Sequence, residues 1–410
     1  MANNLFSKSR FTFVGTITFS KKDDAPIVVK SLKEGSLWSR KRLSIGIQDE
    51  AKNVGYLSCE YMFKPSDPKV KLFDKDGKGH DVAIKDLALQ KNIDLVPDFN
   101  RIIIDLEEDF ELKKEYTKDI YALRELLAKE EQTDEIKAKI EEHKTNIKEK
   151  AKNRYECGHM DTFIDTLNAH LKELEGKKVR VSGMVNVNYY GGKSRLEYVP
   201  TRLDIAKPDE KSELTIDSKI FFSDGAMDND EENKKIFINA FMGQKYKKQD
   251  KLFPVQLVID YSKIDLENTL HSQMLSILTN SFSAEDEDTM YNNRILIKVI
   301  NSREEVDFDE NCLTEQQKMM VACGLATVES FKPRGSVFGN RIQELRVIRP
   351  FATEEYANGS IVAFDLENLA TYLVSDEDDT APIKEDEVKE EKPKEETASN
   401  FDFGALFGAN

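Results

Sequence analysis

The sequence has 410 residues, of which 39% are hydrophobic and 33% charged, and its formal net charge is -16. This length suits two domains with additions better than one. Evenly spread acidity would argue against a nucleic-acid partner, but 12 Asp/Glu and 4 Lys fall between residues 376 and 410, so half of the net charge lies in one terminal segment.

Membrane insertion and a disulfide framework are both excluded by the sequence pattern. No apolar run approaches the ~18 residues of a membrane span, and the first residues lack an apolar signal segment. The four cysteines show no paired spacing, which is typical of thiols in a reducing compartment. We therefore expect a cytoplasmic protein without a membrane partner, a cofactor or a metal site.

The first domain, predicted at residues 1–206, contains strands whose side chains alternate between apolar and polar. An amphipathic helix is predicted at 162–174, between the third and fourth of these strands. This is the element order of an OB-fold, a five-stranded barrel with a helix at that position. The predicted strands are 10–19, 43–48, 55–63, 177–188 and 195–205.

Residues 107–153 differ from the rest of this domain. Charges of both signs alternate there, with sparse apolar residues at helical spacing, and Thr133 is a candidate N-cap after a break in the pattern. We expect a helical hairpin inserted into the barrel. It is either a solvated insertion or a contact arm for a partner.

The second domain, predicted at 207–374, repeats the same element order without a residue-level repeat. A helix is predicted at 266–282, another at 314–324, and the segment after Phe351 is expected to dock back on the barrel. The predicted strands are 214–222, 235–242, 253–261, 294–301 and 341–349. The fold class expected is thus α+β, mainly β, with two OB-type five-stranded barrels and a disordered acidic tail at 375–410.

Candidate binding residues follow from the way OB barrels bind oligonucleotides, across strands two and three and between the loops at either end. Aromatic rings there stack on bases, and cations beside them follow the phosphates. In the first barrel the candidates are Trp38, Arg40, Lys41, Arg42, Tyr189, Tyr190, Lys193, Arg195 and Tyr198. In the second barrel they are Tyr246, Lys247, Lys248, Phe331, Lys332 and Arg334.

These candidates also have structural interpretations. Trp38 could cap a core, and the cations could form a solvated face. Tyr189 and Tyr190 are adjacent, so on a strand they face opposite sides, and one could be core while the other is a platform.

The acidic tail ends in apolar residues, which a purely solubilising segment does not need. We predict that this tip binds a basic, apolar groove on a partner, and that the polyanionic tail competes with DNA for cations. A solubility tail is the alternative. The predicted partner-binding residues are Phe401, Asp402, Phe403, Leu406 and Phe407.

In this architecture the chain resembles bacterial and bacteriophage single-stranded DNA-binding proteins, in which OB barrels precede an acidic linker and an acidic aromatic tip. It departs from the bacterial form in its two barrels, its helical insertion and its tip, which continues seven residues past Phe403. These departures look more like a phage-encoded version, acting in the host cytoplasm.

The resemblance implies single-stranded DNA binding and protection during DNA replication or recombination, with the tail recruiting replication or recombination proteins. No catalytic constellation is recognisable in the sequence, so we expect no enzyme and no catalytic residue. The alternative is an OB-fold structural or adaptor protein that binds other proteins.

Overall fold

The computed structural model describes residues 6–19, 27–32, 35–87, 93–129, 133–190, 193–246, 249–305, 313–331, 338–351, 353–356 and 359–374. Strand exceeds helix in these ranges, 45% against 29%, so the mainly β character is confirmed. None of the helices found there is long and apolar enough to cross a membrane. The tail from residue 375 onward lies outside the described residues.

The first half contains twelve of the described strands and four of the described helices. Its strands are β1 (Arg10–Phe19), β2 (Ile27–Ser31), β3 (Ser39–Leu43), β4 (Ile45–Gln48), β5 (Val54–Tyr56), β6 (Cys59–Phe63), β7 (Lys69–Phe73), β8 (Gly79–Ala83), β9 (Ile102–Asp105), β10 (Arg154–Cys157), β11 (Lys178–Tyr190) and β12 (Lys193–Ile205). Its helices are α1 (Ile84–Leu87), α2 (Phe110–Leu127), α3 (Asp134–Lys150) and α4 (Met160–Leu174).

Five segments of this half pair in a closed ring. β1 pairs antiparallel with β11 on one side and with β4 on the other, β11 pairs with β12, and β4 pairs with β5. A parallel bridge between Leu57, which follows β5, and Tyr198 of β12 closes the ring. β3 and β6 continue the β4 and β5 segments outward and join β2 in a three-stranded sheet.

The interior of this ring is filled by alternate side chains of its strands. Phe11 and Phe13 of β1 are buried, as is the valine face predicted on β11. α4 packs Phe163, Leu167 and other apolar residues against the same cluster. The alternation of apolar residues therefore identified the core side of these strands correctly.

The second half contains strands β13 (Glu213–Phe222), β14 (Met227–Asp230), β15 (Lys235–Tyr246), β16 (Gln249–Asp260), β17 (Thr289–Glu305), β18 (Phe338–Pro350) and β19 (Ile361–Asp365). Its helices are α5 (Thr269–Asn280), α6 (Glu315–Ala322) and α7 (Leu369–Tyr372).

Five of these strands also form a closed ring. β13 pairs with β15, β15 with β16, β18 with β17, and β17 with β13, while β16 lies parallel to β18 where Val258 faces Arg346. The ring strands of each half can be numbered in chain order. In both halves the first strand then pairs with the second, the second with the third, the third with the fifth, the fifth with the fourth and the fourth with the first. In both, the third and fifth strands are parallel. The repeat predicted from element order is therefore present in the strand pairing.

The two rings join through their first strands. Residues Arg10–Val14 of β1 pair antiparallel with Glu213–Asp217 of β13. At Gly15, β1 leaves β13 and approaches β4 so closely that a Cβ atom would lie 2.1 Å from the Gln48 carbonyl oxygen. Glycine permits this approach because it has no side chain.

The predicted helical hairpin is present as α2 and α3, and the Thr133 hydroxyl accepts a hydrogen bond from Ile136 N as the expected N-cap. A buried polar contact fixes α2 to β9, which pairs with β12 of the ring, because the Tyr116 hydroxyl donates to Asp105 Oδ1 at 2.7 Å. Lys113 of α2 adds an ion pair of 2.9 Å to Asp204.

The segment after Phe351 docks on the second ring, as predicted. Phe364 and Tyr372 pack with tilted rings whose centroids are 4.7 Å apart, and Tyr372 also packs on Phe6 from the first described segment. Leu373 forms a parallel bridge with Leu252 of β16. The outer surface of β13, β15 and β16 is therefore partly covered by both terminal segments.

Candidate nucleic-acid interface

The cations predicted at residues 40–42 lie on a strand, not in the expected loop. Successive side chains on a strand point to opposite faces. Leu43 of β3 is fully buried, so Lys41 shares the inner face with it, while Arg40 and Arg42 point outward. The three adjacent cations therefore occupy two different environments.

Lys41 is held against α4. Its Nζ atom lies 2.6 Å from Asp161 Oδ1 and 2.7 Å from Asp165 Oδ1, and the Tyr61 hydroxyl donates to the same Asp161 oxygen. Burial alone would lower the pKa of Lys41, but the hydrogen bonds and charges of the two aspartates outweigh it and raise the pKa. The prediction that Lys41 contacts phosphate is therefore corrected, because its charge is already neutralised inside the domain.

The outer face of β2, β3 and β6 combines an exposed ring with cations. Trp38 is 41% exposed, and Lys64 Nζ lies 4.9 Å from its ring centroid. Cross-strand pairing sets Lys30 opposite Arg40, so both share this face. We call this surface the basic face, and it comprises Lys30, Trp38, Arg40, Arg42 and Lys64. Lys30 and Lys64 were missed in the sequence because β2 was not predicted as a strand and the pairing of β2, β3 and β6 was unknown.

Glu60 is the carboxylate on this surface. It lies opposite Arg42 on β6, and its Oε2 atom is 3.6 Å from Arg40 and 3.7 Å from Arg42. All three side chains are partly exposed, and such pairs contribute at most about 1 kcal/mol. The arginines can therefore exchange Glu60 for another anion at little cost.

The β11–β12 hairpin carries a second exposed aromatic ring beside cations. Tyr190 is 64% exposed and pairs across the hairpin with Lys193, and Arg195 lies on the same side. Burial raises the pKa of Glu197, the next residue on this side, and repulsion from Glu60 raises it further while Arg195 and Arg42 lower it. Glu197 therefore lies near charged groups of both the hairpin and the basic face. The turn residues 191 and 192 lie outside the described residues.

Two of the predicted stacking tyrosines face the core. Tyr189 is half-buried, as expected for one of two adjacent tyrosines on a strand. Tyr198 packs edge-on against Phe11 and Phe13, with centroids 5.5 and 4.7 Å away, and its burial raises its pKa. The prediction of Tyr198 as a base platform is corrected, since its ring supports the barrel interior.

The second-half candidates are less completely described. Tyr246 packs edge-on against Phe253 at 6.0 Å, and Phe331 is half-buried at the end of a short 3-10 helix. Gln244, near the end of β15, accepts a hydrogen bond from Val187 N at 2.8 Å, so the β15–β16 and β11–β12 hairpins lie side by side. The remaining candidates, Lys247, Lys248, Lys332 and Arg334, and the tail residues from Phe401 to Phe407, lie outside the described residues.

Comparison with known proteins gives little further information. No protein-family model and no curated protein matches the chain. Among solved structures, it is similar to a deletion mutant of the single-stranded DNA binding protein from Thermus aquaticus, at 8% identity and a TM-score of 0.26, over 72% of this chain and 87% of that chain. A TM-score this low establishes neither a shared fold nor a shared function.

Proposed function

We propose that the chain binds single-stranded DNA without catalysing a reaction, and that the basic face is the binding surface. The observation that carries this proposal is the exposed Trp38 ring, which Lys64 contacts and which shares the outer side of neighbouring strands with Lys30, Arg40 and Arg42. An aromatic ring in such a setting stacks on a base for about 1–3 kcal/mol, and it does not distinguish between bases.

We further propose that both rings are OB-type barrels. The shared pairing order supports this, as does the position of α4 and α5 between the third and fourth ring strands. In OB-folds, oligonucleotides bind across the second and third strands. The basic face lies on β3 and β6, which continue these two strands, and the hairpin joining the fourth and fifth strands flanks it.

A single strand suits this surface better than a duplex does. Stacking requires a base whose flat face is free, and in a duplex both faces are covered by neighbouring base pairs. The guanidinium groups of Arg40 and Arg42 follow one line along β3, which suits one phosphate backbone.

The proposed cellular role is protection of single strands during replication or recombination, in the cytoplasm of a cell or of a phage-infected host. The tail would recruit replication or recombination proteins through Phe401, Phe403 and Phe407. Its composition supports this role, since the acidic tether keeps these apolar residues accessible.

The test is a binding titration of a fluorescent oligo-dT against wild type and the Arg40→Ala/Arg42→Ala variant. We expect the variant to bind about tenfold more weakly and to show a log–log salt slope smaller by about 1.4, since each phosphate contact contributes about 0.7. The double variant Lys137→Ala/Lys139→Ala on α3 is the matched control, because it removes two exposed cations elsewhere. Equal binding by wild type and the basic-face variant would contradict the proposal.

A protein-binding adaptor is the second candidate, and one observation favours it. α5 carries an exposed apolar stripe of Leu270, Met274 and Ile277, which are 74%, 46% and 58% exposed. Exposed stripes of this kind are typical of protein contacts. An adaptor would show no salt-dependent affinity for oligo-dT.

A further inference from the structure

The β17–β18 ribbon extends past the end of the second ring. Ile297 and Val299 of β17 point into the barrel, and by strand alternation Asn301 and Arg303 continue on this inner side. Across the ribbon, Gln343 pairs with Asn301 and Arg341 pairs with Arg303. The inner side of the extension is therefore polar and cationic where the barrel core ends.

This inner side faces the first half of the chain. Asn301 Nδ2 donates to the Val54 carbonyl oxygen at 2.6 Å, and Asn301 N donates to Asn53 Oδ1 at 3.2 Å. Arg341 donates to Asn301 Oδ1 at 3.2 Å. These contacts set the ribbon beside β5 and create a cleft between the halves.

Tyr56 of β5 lines this cleft and is 51% exposed. It pairs with Gly46, and its ring lies so close to this glycine that a Cβ atom there would be 3.2 Å from Tyr56 Cδ1. Alternate residues along β5 and β6 put Tyr56 on the same outer surface as Glu60, which faces Arg42. The basic face therefore leads along these strands to Tyr56, and Arg195 of the hairpin also lines the cleft.

Arg303 and Arg341 lie directly opposite each other on the ribbon, and both are exposed. A phosphodiester bound between the two guanidinium groups would accept hydrogen bonds from both.

We propose that this cleft is the second section of the single-strand path, with Tyr56 stacking on a base and Arg303 and Arg341 binding the phosphates beyond it. This inference rests on the proposed function and adds that one strand crosses from the first half to the second. Tyr56 and Arg303 are additions to the candidate residues found from the sequence.

The experiment compares two oligo-dT lengths. One has about 10 nucleotides, which fits one OB-type barrel, and the other has about 30, which can span both. The variants are Arg303→Gln/Arg341→Gln, Tyr56→Ala and Tyr56→Phe, with Lys263→Ala/Arg349→Ala as the control. The control removes two cations from the opposite end of the second ring, where β16 and β18 end.

We expect the double arginine variant to bind the longer oligonucleotide about tenfold more weakly, with a salt slope smaller by about 1.4, and the shorter one as wild type does. Tyr56→Ala should weaken binding of the longer oligonucleotide about 5- to 150-fold, as expected for one lost stacking contact, and Tyr56→Phe should restore it. Unchanged binding of the shorter oligonucleotide shows that the variants remain folded.

Two outcomes separate this inference from the proposed function. If wild type binds both oligonucleotides and the arginine variant binds the longer one equally well, the path through the cleft is wrong while single-strand binding stands. If wild type binds neither length, both proposals are overturned.

Discussion

The side-chain ammonium group of Lys41 lies 2.6 Å from Asp161 Oδ1, on the opposite side of β3 from the guanidinium groups of Arg40 and Arg42. One short strand thus carries a buried ion pair on its inner face and exposed cations on its outer face. The buried pair ties β3 to α4, so it holds the strand that presents the basic face. This division of roles gives separable predictions for stability and for binding.

Replacing Lys41 with methionine should lower the free energy of unfolding by about 3–5 kcal/mol, because it leaves the buried Asp161 carboxylate without its cation. Arg42→Met is the matched control on the outer face and should change stability by about 0.5 kcal/mol or less. Urea unfolding followed by circular dichroism measures both. Equal losses in the two variants would show that Lys41 is not structural.

Replacing Glu60 with glutamine should strengthen oligo-dT binding about fivefold at low salt. The Glu60 carboxylate competes with phosphate for Arg40 and Arg42, and one charge at 4 Å in water contributes about 1 kcal/mol. Glu50→Gln, an exposed change beside Lys178, is the control. Fluorescence anisotropy should show the gain shrinking as salt rises, and a gain for Glu50→Gln of the same size would contradict the explanation.

Truncation before Asp376 should strengthen oligo-dT binding, because it removes a segment with 12 Asp/Glu and 4 Lys that can occupy the same cations. The effect should be largest at low salt and weaken as added ions screen the tail. A full-length variant in which the tail Asp/Glu residues are changed to Asn/Gln should behave like the truncation. An unchanged dissociation constant in both would show that the tail does not compete.

Stability should depend on His159 near neutral pH. His159 Nδ1 accepts a hydrogen bond from Asp161 N at the start of α4, which requires that this nitrogen carry no proton. Burial lowers the pKa of His159 below 6.5, with Lys41 lowering it further and Asp161 opposing this. The unfolded chain therefore binds a proton more readily, and stability is lost as the pH falls below about 6.5.

His159→Asn should flatten this pH dependence, because asparagine keeps the capping acceptor and does not titrate. Urea midpoints of wild type and variant, measured between pH 7.5 and 5.5, provide the comparison. If both fall equally over this range, His159 is not the group responsible.

Much of the fold could be predicted from alternation and helical spacing. Phe11 and Phe13 lie in the core as expected, and Thr133 begins α3. The β2 and β3 strands were missed because β2 is only five residues long and β3 is a run of cations, so neither shows apolar alternation. For the same reason the sequence did not show that Lys41 and its neighbours Arg40 and Arg42 point to opposite faces. This difference follows only once the segment is known to be a strand.

The sequence offered candidate site residues but could not give their geometry. Trp38 and Tyr190 are exposed and Arg40 is partly exposed, whereas Tyr198 lies against the core. Tyr56 gave no signal in the sequence, because its proposed role depends on a ribbon from the other half of the chain. Long-range pairing of this kind cannot be read from local patterns.

The intrinsic fluorescence of Trp38 tests the central claim most directly, because it is the only tryptophan in the chain. Titration with oligo-dT should quench this fluorescence to saturation, with a midpoint that weakens with salt, and the matching duplex should produce little change. Saturating oligo-dT that leaves the emission of Trp38 unaltered, or a duplex that quenches it equally well, would contradict the account.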